Sequence, residues 1–495
     1  MSGIVGTQRA AAEPAALGDL VRLCARLPLA LRIAAGRVTS TPLCTVAEVV
    51  DELADDRFRL DALSPGGDER AAVRAVFDWS YQQLATAPAR LFRRLGLLPG
   101  SDFSLHTAAA LADLNSAEAR RQLESLTTVH LIEPSRGNRY QFHDLLRVYA
   151  FDQAHRYDDA QERHEAIEAF LGWYAKTAYL CDELLYPAHP RTPAKFRTSA
   201  HRTPDIRDAA QALSWLEDER GNMLLVLQQA VETQMYDQGL NLAENSRFLG
   251  RNGRWYDELE GARFGLICAR STGDRQAETR FHNWLGEVLI NTGRWDEARD
   301  NFERALSAAR KLADDRQLAN ALNGIGLLRS MLGNHEDALP CFHEALPLSR
   351  GIDTGRLESV IEGNISSALS GLHRFEEALR HGERSLELRR RSGDVAGAVH
   401  STHCLARAHL GLGQHGEAIA LCRKAIAEGR GVNYTSLVVA EPLDTLGVLL
   451  NLGGDTAGAI ECWREAAALF DSYSRPQRAT EVRARIETAG AAEAR

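Results

Sequence analysis

The chain has 495 residues, 44% of them apolar, and a formal net charge of −9. A chain of this length and composition can bury several hydrophobic cores, so we expect more than one domain. The acidic balance argues against a protein that coats nucleic acid, and every apolar run is shorter than the roughly 18 residues of a membrane span. The first residues lack the pattern of a secretory signal, and the eight cysteines include no C-x-x-C pair. We therefore expect reduced thiols and a cytoplasmic location.

Residues 1–63 are predicted to be helical. An apolar helix runs through Leu17 and Leu20, and a second helix is expected to begin at Pro28. Proline suits the first position of a helix because its missing N–H would be unpaired there in any case.

Residues 64–155 are predicted to form a winged-helix domain. Four helical stretches precede two short β runs, at 130–133 and 140–142, which are joined by Ser135-Arg-Gly-Asn. A turn of this composition between two β runs is typical of a hairpin. At the end of the second run, Asp144 is expected to cap a helix that starts at Leu145.

Three motifs in these two regions resemble bacterial STAND-type (NB-ARC) ATPases, in particular the AfsR-like regulators of actinobacteria. They are the run from Cys24 to Leu31 (CARLPLAL), the run from Phe77 to Tyr81 (FDWSY) and the run from Phe142 to Arg147 (FHDLLR). The resemblance implies that Pro28 packs against the adenine of a nucleotide and that His143 reaches its β-phosphate.

The resemblance allows ADP or ATP as a cofactor, but the sequence establishes none. The phosphate-binding pattern G-x-x-x-x-G-K-[ST] occurs nowhere in the chain. The resemblance thus starts after the ATPase core, as expected of a regulator whose front part is missing.

Residues 156–236 are predicted to be a helical connector, interrupted by an exposed Pro-rich loop at 186–204. Its run from Ala212 to Leu227 (ALSWLEDERGNMLLVL) also resembles the connector of AfsR-like proteins.

Residues 237–490 carry an internal repeat. A Glu-Ala or equivalent pair returns with a period of 40 residues and one slip, at Ala298, Ala338, Ala378, Ala418 and Ala459. Such a period indicates a solenoid, and the spacing of glycines and apolar residues resembles tetratricopeptide helix pairs. The usual unit of that family has 34 residues, and we expect the additional residues to lengthen the second helix and its exit turn. A degenerate pair at 237–272 precedes the array, and a capping helix at 475–487 closes it.

The inner face of this array is the predicted binding groove for a protein or peptide. Counting back from the small residue of each first helix gives the register of the groove, in which Val360 and Gly363 also fall. Its candidate ligand-binding residues are Arg280, Asn283, Asn320, Asn323, His400, His403, Arg407, Glu441 and Asp444. The successive asparagines suit the backbone of an extended peptide, whereas the two acids suggest a basic stretch in the ligand. A solvent-facing helix stripe would show similar polarity without any ligand.

We find no catalytic constellation in the sequence and predict that the protein is not an enzyme. His400, His403 and Cys404 have metal-ligand chemistry, but zinc needs four ligands and no second cluster stands in register with them. We interpret them as residues of a repeat helix. Four arginines of the winged-helix region are candidates for contacts with DNA phosphates: Arg120, Arg121, Arg136 and Arg139.

The sequence therefore predicts a mainly α fold in which a winged-helix domain with a small β-hairpin is followed by an α-solenoid. The leading hypothesis is a non-enzymatic signalling or transcription-regulatory protein that binds a partner through its repeats, without a membrane role. Two alternatives stay open. One is a nucleotide-dependent switch completed by a separate NTPase domain or chain, and the other is a DNA-binding regulator that uses the winged helix.

Overall fold

A computed structural model of the chain describes residues 11–24, 31, 34–35, 38, 45–51, 69–186, 204–352, 355–431, 436–473 and 475–493. These residues fall into two compact units. The first comprises Met1–Leu180, Lys195–Gln211 and Gly221–Gln238, and the second comprises Cys181–Ala194, Ala212–Arg220 and Gly239–Arg495. The predicted Pro-rich loop lies almost wholly outside the described residues.

The first unit is mostly helical and contains one small sheet. Its helices include α1 (Pro14–Leu23), α2 (Glu69–Gln82), α3 (Thr86–Leu95), α4 (Leu105–Ala112), α5 (Ser116–Thr128) and α6 (Asp144–Tyr157). Helices α7 (Ala160–Leu185) and α8 (Ala209–Glu232) follow in the connector. The strands are β1 (Asp102–Ser104), β2 (Glu133–Pro134) and β3 (Arg139–Gln141), in the order β1-β3-β2 with both pairings antiparallel.

The predicted hairpin is present as β2 and β3, but the sheet has a third strand that the sequence analysis did not predict. Strand β1 has only three residues, too few to show an alternating pattern. Two of them decide its position: Phe103 stacks on Tyr140 of β3, and Asp102 pairs with Arg139. The chain order of helix, strand, two helices and two strands is the arrangement that we interpret as a winged helix.

Aromatic side chains in and near the motifs Phe77–Tyr81 and Phe142–Arg147 pack against one another in the core of this unit. The ring of Tyr149 on α6 lies 5.5 Å from that of Phe77 and 6.1 Å from that of Phe92. Phe142, which precedes α6, lies 5.6 Å from Phe92 in an edge-to-face arrangement. Such pairs add to the stability gained from burial alone. The two motifs therefore have a structural role in packing α2 and α3 against α6.

The second unit is a ladder of helix pairs. A short helix α9 (Tyr236–Glu244), a 3-10 segment at Arg247–Gly253 and α10 (Trp255–Thr272) make the degenerate first pair. Five regular pairs follow: α11 (Arg275–Asn291) with α12 (Trp295–Leu312), α13 (Asp315–Met331) with α14 (His335–Ser349), α15 (Arg356–Gly371) with α16 (Phe375–Arg391), α17 (Val395–Gly411) with α18 (His415–Arg430), and α19 (Ala440–Leu452) with α20 (Thr456–Ser472). Helix α21 (Pro476–Glu493) packs on α20 and is the predicted capping helix.

The backbone conformation of the turn between the two helices of a regular pair explains why glycine recurs at this position. Gly293, Gly333, Gly413 and Gly454 all have φ between 72° and 86°, in the left-handed region that glycine enters without steric cost. His373 takes the same conformation in the third pair, with φ of 57°. The backbone path is thus kept even where the glycine is replaced.

The second small residue of each repeat lies where the two helices of a pair meet. A Cβ atom on Gly286 would lie 2.6 Å from the ring of Phe302, and one on Gly326 would lie 2.6 Å from the ring of Phe342. The same relation holds between Gly447 and Trp463. These glycines are needed because a large side chain from the second helix fills the space beside them.

We expected the additional residues of the repeat to lengthen the second helix, and in the structure the first and second helices of the regular pairs have similar lengths. The first helices of the regular pairs have 13 to 17 residues and the second helices 15 to 18. In the exit turns, Asp314 and Asp394 follow helix ends and cap the next helix by accepting from the N–H of Gln317 and Gly397.

The first helices of neighbouring pairs approach one another, whereas the second helices of neighbouring pairs lie farther apart. In a curved stack the closer rank lies on the inner side of the curve. Helices α11, α13, α15, α17 and α19 therefore form the inner face of the array.

The end of the array contacts its beginning. Arg475 donates from Nη2 to Asn291 Oδ1 at 2.6 Å, and its guanidinium lies 5.3 Å from the ring centre of Trp255. A Cβ atom on Gly253 would lie only 2.3 Å from the carbonyl oxygen of Tyr473, so only glycine fits at this contact. The ladder is thus tied together across its two ends.

Candidate partner-binding surface

Polar side chains link neighbouring helices along the inner face. Asn283 of α11 donates from Nδ2 to the carbonyl oxygen of Gln317 at 3.1 Å, and Asn364 of α15 donates to Asn323 of α13 at 2.8 Å. Further along, Ser367 Oγ lies 3.5 Å from Cys404 Sγ, and His403 Nε2 lies 2.8 Å from Thr445 Oγ1. Each step from one pair to the next is therefore made by a hydrogen bond on this face.

These links use several of the residues that the sequence assigned to the groove. Asn283 is only 4% exposed and His403 only 6%. Burial, together with the charge of Arg407, holds the pKa of His403 well below its ordinary value, so the imidazole is neutral. Asn323 is half-buried and engaged with its neighbour. These three side chains hold the array together.

The two acids at the end of the groove are already paired with basic side chains of the capping helix. Asp444 is 4% exposed and contacts both Arg478 and Arg485, and Glu441 pairs with Arg478 at 2.7 Å. We expected these acids to select a basic stretch in a ligand. Because the chain supplies its own arginines there, the acids hold α21 against α19 and give no support to a basic ligand.

The other four predicted groove residues are half-buried or exposed. Asn320 is half-buried, whereas His400 and Arg407 are exposed on α17. Arg280 is also half-buried but donates from Nε to Glu244 at 3.2 Å. Asn320 and Arg407 make no side-chain hydrogen bond or ion pair with any residue that the structure describes. The part of the inner face open to a ligand is thus smaller than predicted and lies around α13 and α17.

The thiol of Cys404 lies in a positive environment on this face. It is 2% exposed, and His400 Nε2 lies 3.7 Å from its sulfur. Burial opposes ionisation of the thiol, yet the charge of His400 and the hydrogen bonds from His400 and Ser367 lower its pKa to about 6. The thiolate in turn raises the pKa of His400. This stretch of α17 therefore stabilises negative charge.

The sequence analysis missed Arg389, the most unusual residue near this stretch. It belongs to the second helix α16, but its side chain is 6% exposed and reaches the space between α15 and α17. Burial lowers its pKa. The helical period assigns position 389 to an outer helix, and only the length of the arginine side chain brings its charge to the first helices.

The nucleotide-binding prediction rests on two residues, of which one is described. Pro28 lies outside the described residues. His143 is exposed and is itself the cap of α6, since its Nδ1 accepts from the N–H of Leu145 at 3.4 Å. The expectation that Asp144 caps this helix was wrong by one residue, because the helix begins at Asp144. The apolar residues Leu145 and Val148 of α6 are also exposed.

Three of the four candidate DNA-binding arginines are exposed, namely Arg120, Arg121 and Arg136. The guanidinium of Arg139, in contrast, is already engaged in an ion pair and is less available for a contact with DNA. It donates from Nε and Nη2 to both carboxylate oxygens of Asp102, at 2.7 and 2.6 Å. This bidentate pair joins β3 to β1. Its role in the structure is to fix the third strand.

The seven described cysteines are free thiols, six of them buried. Across the described ranges, no group of three or more His, Cys, Asp or Glu side chains is arranged to hold a metal ion. Among these residues, no helix is both long and apolar enough to cross a membrane.

The comparisons with known proteins agree with the repeat architecture. The tetratricopeptide repeat family matches residues 278–351, 331–391 and 353–427. These residues, which span most of the regular pairs, form a tetratricopeptide-repeat α-solenoid.

Over 295 residues, or 59% of its length, the chain is 35% identical to the regulatory protein AfsR of Streptomyces coelicolor. It is also 35% identical over 287 residues to the AfsR protein of Streptomyces griseus. The resemblance to AfsR-like regulators that the motifs indicated is thereby confirmed. The chain spans only 29% of the length of each of these relatives.

Among solved structures, the chain is similar to a STAND protein with a tetratricopeptide repeat sensor from Pyrococcus horikoshii. The match covers 91% of this chain and 72% of that one, with 16% identity and a TM-score of 0.34.

Proposed function

We propose that this protein is a non-enzymatic regulatory protein that binds a protein or peptide partner on the inner face of its repeat array. The observation that carries the proposal is the open stretch of that face around α13 and α17. There, Asn320 and Arg407 have polar atoms without partners among the described residues. The other polar groove residues, apart from His400, pair with neighbouring helices and stabilise the array around the open stretch.

A rigid array suits this task because a partner that binds to it does not have to order the receptor. Repeat solenoids present extended concave surfaces of this kind. The relation to AfsR proteins, which are named as regulatory proteins, supports a regulatory role.

The test is a selection of peptides from a random library by the purified chain, followed by measurement of dissociation constants. Asn320→Trp places a bulky side chain on the open inner face, and Ser307→Trp places the same side chain at an exposed position of the second helix α12. We expect selected peptides to lose at least tenfold in affinity for Asn320→Trp and to bind Ser307→Trp as they bind the unaltered chain. Equal binding to both variants, or greater loss in Ser307→Trp, would contradict the proposed surface.

A further inference from the structure

Arg389 carries a buried charge without a partner. Its side chain makes no hydrogen bond or ion pair with any residue that the structure describes, and its Nε is fully buried. Asp394 is the acid that most favours its charge: a Cβ atom on Gly397 would lie 2.1 Å from Asp394 Oδ2 and 2.5 Å from Arg389 Nη1, so the carboxylate stands beside the guanidinium although the two form no hydrogen bond or ion pair. A buried charge that makes no hydrogen bond or ion pair is costly, and such groups are usually paired.

Two glycines open the space that the guanidinium occupies. A Cβ atom on Gly397 of α17 would lie 2.5 Å from Arg389 Nη1, and one on Gly363 of α15 would lie 3.7 Å from Nη2. Both helices belong to the inner face, and Gly363 falls in the register predicted for the groove. The guanidinium therefore reaches from the second helix into the gap between two first helices.

Two further cationic groups lie on the adjoining turns of α17. His400 follows Gly397 by about one helical turn and is exposed beside the Cys404 thiol. Arg407 lies two turns further on and is also exposed, with no acid paired to it among the described residues. His400 and Arg407 also lower the pKa of the Cys404 thiol that lies beside them.

The acids on neighbouring helices do not neutralise these groups. Glu362 of α15 accepts from His381 at 2.6 Å, and Glu358 pairs with Arg384 at 3.2 Å. Asp444 of α19 is paired with arginines of α21. The inner face therefore has a positive region at α17 whose two arginines form no ion pair with a described residue, next to a region at α19 whose acids are paired with arginines.

We propose that Arg389, His400 and Arg407 form an anion subsite that receives a side-chain carboxylate of an acidic peptide. This subsite rests on the proposed function and specifies the chemistry of its ligand. The glycine gap lets the carboxylate approach the unpaired edge of the Arg389 guanidinium, whose planar donors match a carboxylate. His400 and Arg407 then contact the acids on either side of it.

The probe is a fluorescent hexaglutamate peptide blocked at both ends, with hexaglutamine of the same construction as the neutral comparison. Fluorescence polarisation gives the dissociation constants. We expect hexaglutamate to bind at least tenfold more tightly than hexaglutamine and to lose at least tenfold in affinity for Arg389→Gln. Arg407→Gln, an exposed change that does not touch the core, should weaken binding in the same direction. Lys424→Gln on the second helix α18 is the matched control and should bind normally.

Several outcomes would overturn the subsite. Equal affinity for hexaglutamate and hexaglutamine would do so, as would binding insensitive to Arg389→Gln and Arg407→Gln. Tighter binding of a hexaglutamine with a free C-terminus would assign the site to a terminal carboxylate, and competition by millimolar inorganic phosphate would assign it to phosphate. Library peptides that bind the inner face but ignore both arginines would remove the subsite and leave the proposed function intact. Failure of the Asn320→Trp test would remove the function itself.

Discussion

Two neighbouring helices of the inner face, α17 and α19, carry opposite charges and differ in how those charges are balanced. The acids of α19 are paired with arginines that α21 supplies, and Asp444 is almost completely buried by them. The cations on and beside α17, which include Arg389 and Arg407, form no such ion pairs with the residues that the structure describes. The difference teaches that polarity at the groove register is not sufficient to mark a binding surface. We propose that the binding surface is where the arginines form no ion pairs.

The difference in charge pairing between α17 and α19 also depends on where each helix lies in the array. Helix α19 belongs to the last pair, where the array must end and contact its own beginning through Arg475. The end of a solenoid needs a capping element, and the acids of α19 bind the capping helix α21. Helix α17 lies one pair earlier, where both neighbours are regular pairs and no covering helix is needed.

The largest effect on stability is expected from removing Asp444, the acid that holds the capping helix α21 in place. Asp444→Ala leaves Arg478 and Arg485 facing a buried site without a carboxylate, and we expect a loss of about 3 kcal/mol in the free energy of unfolding. Glu441→Ala removes an acid that is 47% exposed and should cost less than about 1 kcal/mol. Urea denaturation of both variants measures the difference. Equal midpoints would mean that Asp444 does not hold α21.

A second change tests the repeat register that places α17 and α19 in one rank. Ala338 is fully buried in α14 and packs in one cluster with Leu322 and Phe342. Ala338→Trp should overpack this contact and cost about 1 to 3 kcal/mol. Ala420→Trp, at an exposed position of α18, is the control. Unchanged thermal unfolding of the Ala338 variant would contradict the register.

A third change tests what happens to a buried acid that has no ion pair. Glu258 is a buried acid without an ion pair among the described residues, and burial raises its pKa from 4.5 to about 7, although the hydrogen bond from Trp284 opposes this. The folded state therefore binds more protons than the unfolded state between these pKa values, and stability must fall as pH rises through this window.

Glu258→Gln should remove at least about 1.4 kcal/mol of this fall, the equivalent of one pKa unit. Urea unfolding at pH 4.5 and pH 7.5 measures it. Glu260→Gln, at an exposed position two residues further along the same helix α10, is the control. The same pH dependence in the Glu258 variant and the unaltered chain would show that Glu258 is not the group responsible.

The sequence predicted the repeat architecture because its determinants are local. Gly293 and its equivalents set the turns, and Gly286 and Gly326 mark the helix crossings, so a fixed period reveals both. The charge pairing could not be predicted. Arg389 reaches the inner face from the second helix, and Asp444 meets arginines 34 and 41 residues further along the chain. Strand β1 was missed because three residues show no period, and it is fixed by a distant pair, Arg139 with Asp102.

Hydrogen–deuterium exchange on the purified chain, with and without saturating hexaglutamate, tests most directly whether the unpaired cations mark the binding surface. The account predicts slower exchange in α15 and α17 on addition of the peptide, and unchanged exchange in the second helices α12 and α18 and in the capping helix α21. Protection confined to the second helices or to α21, or no protection at a peptide concentration that saturates the polarisation signal, would contradict it.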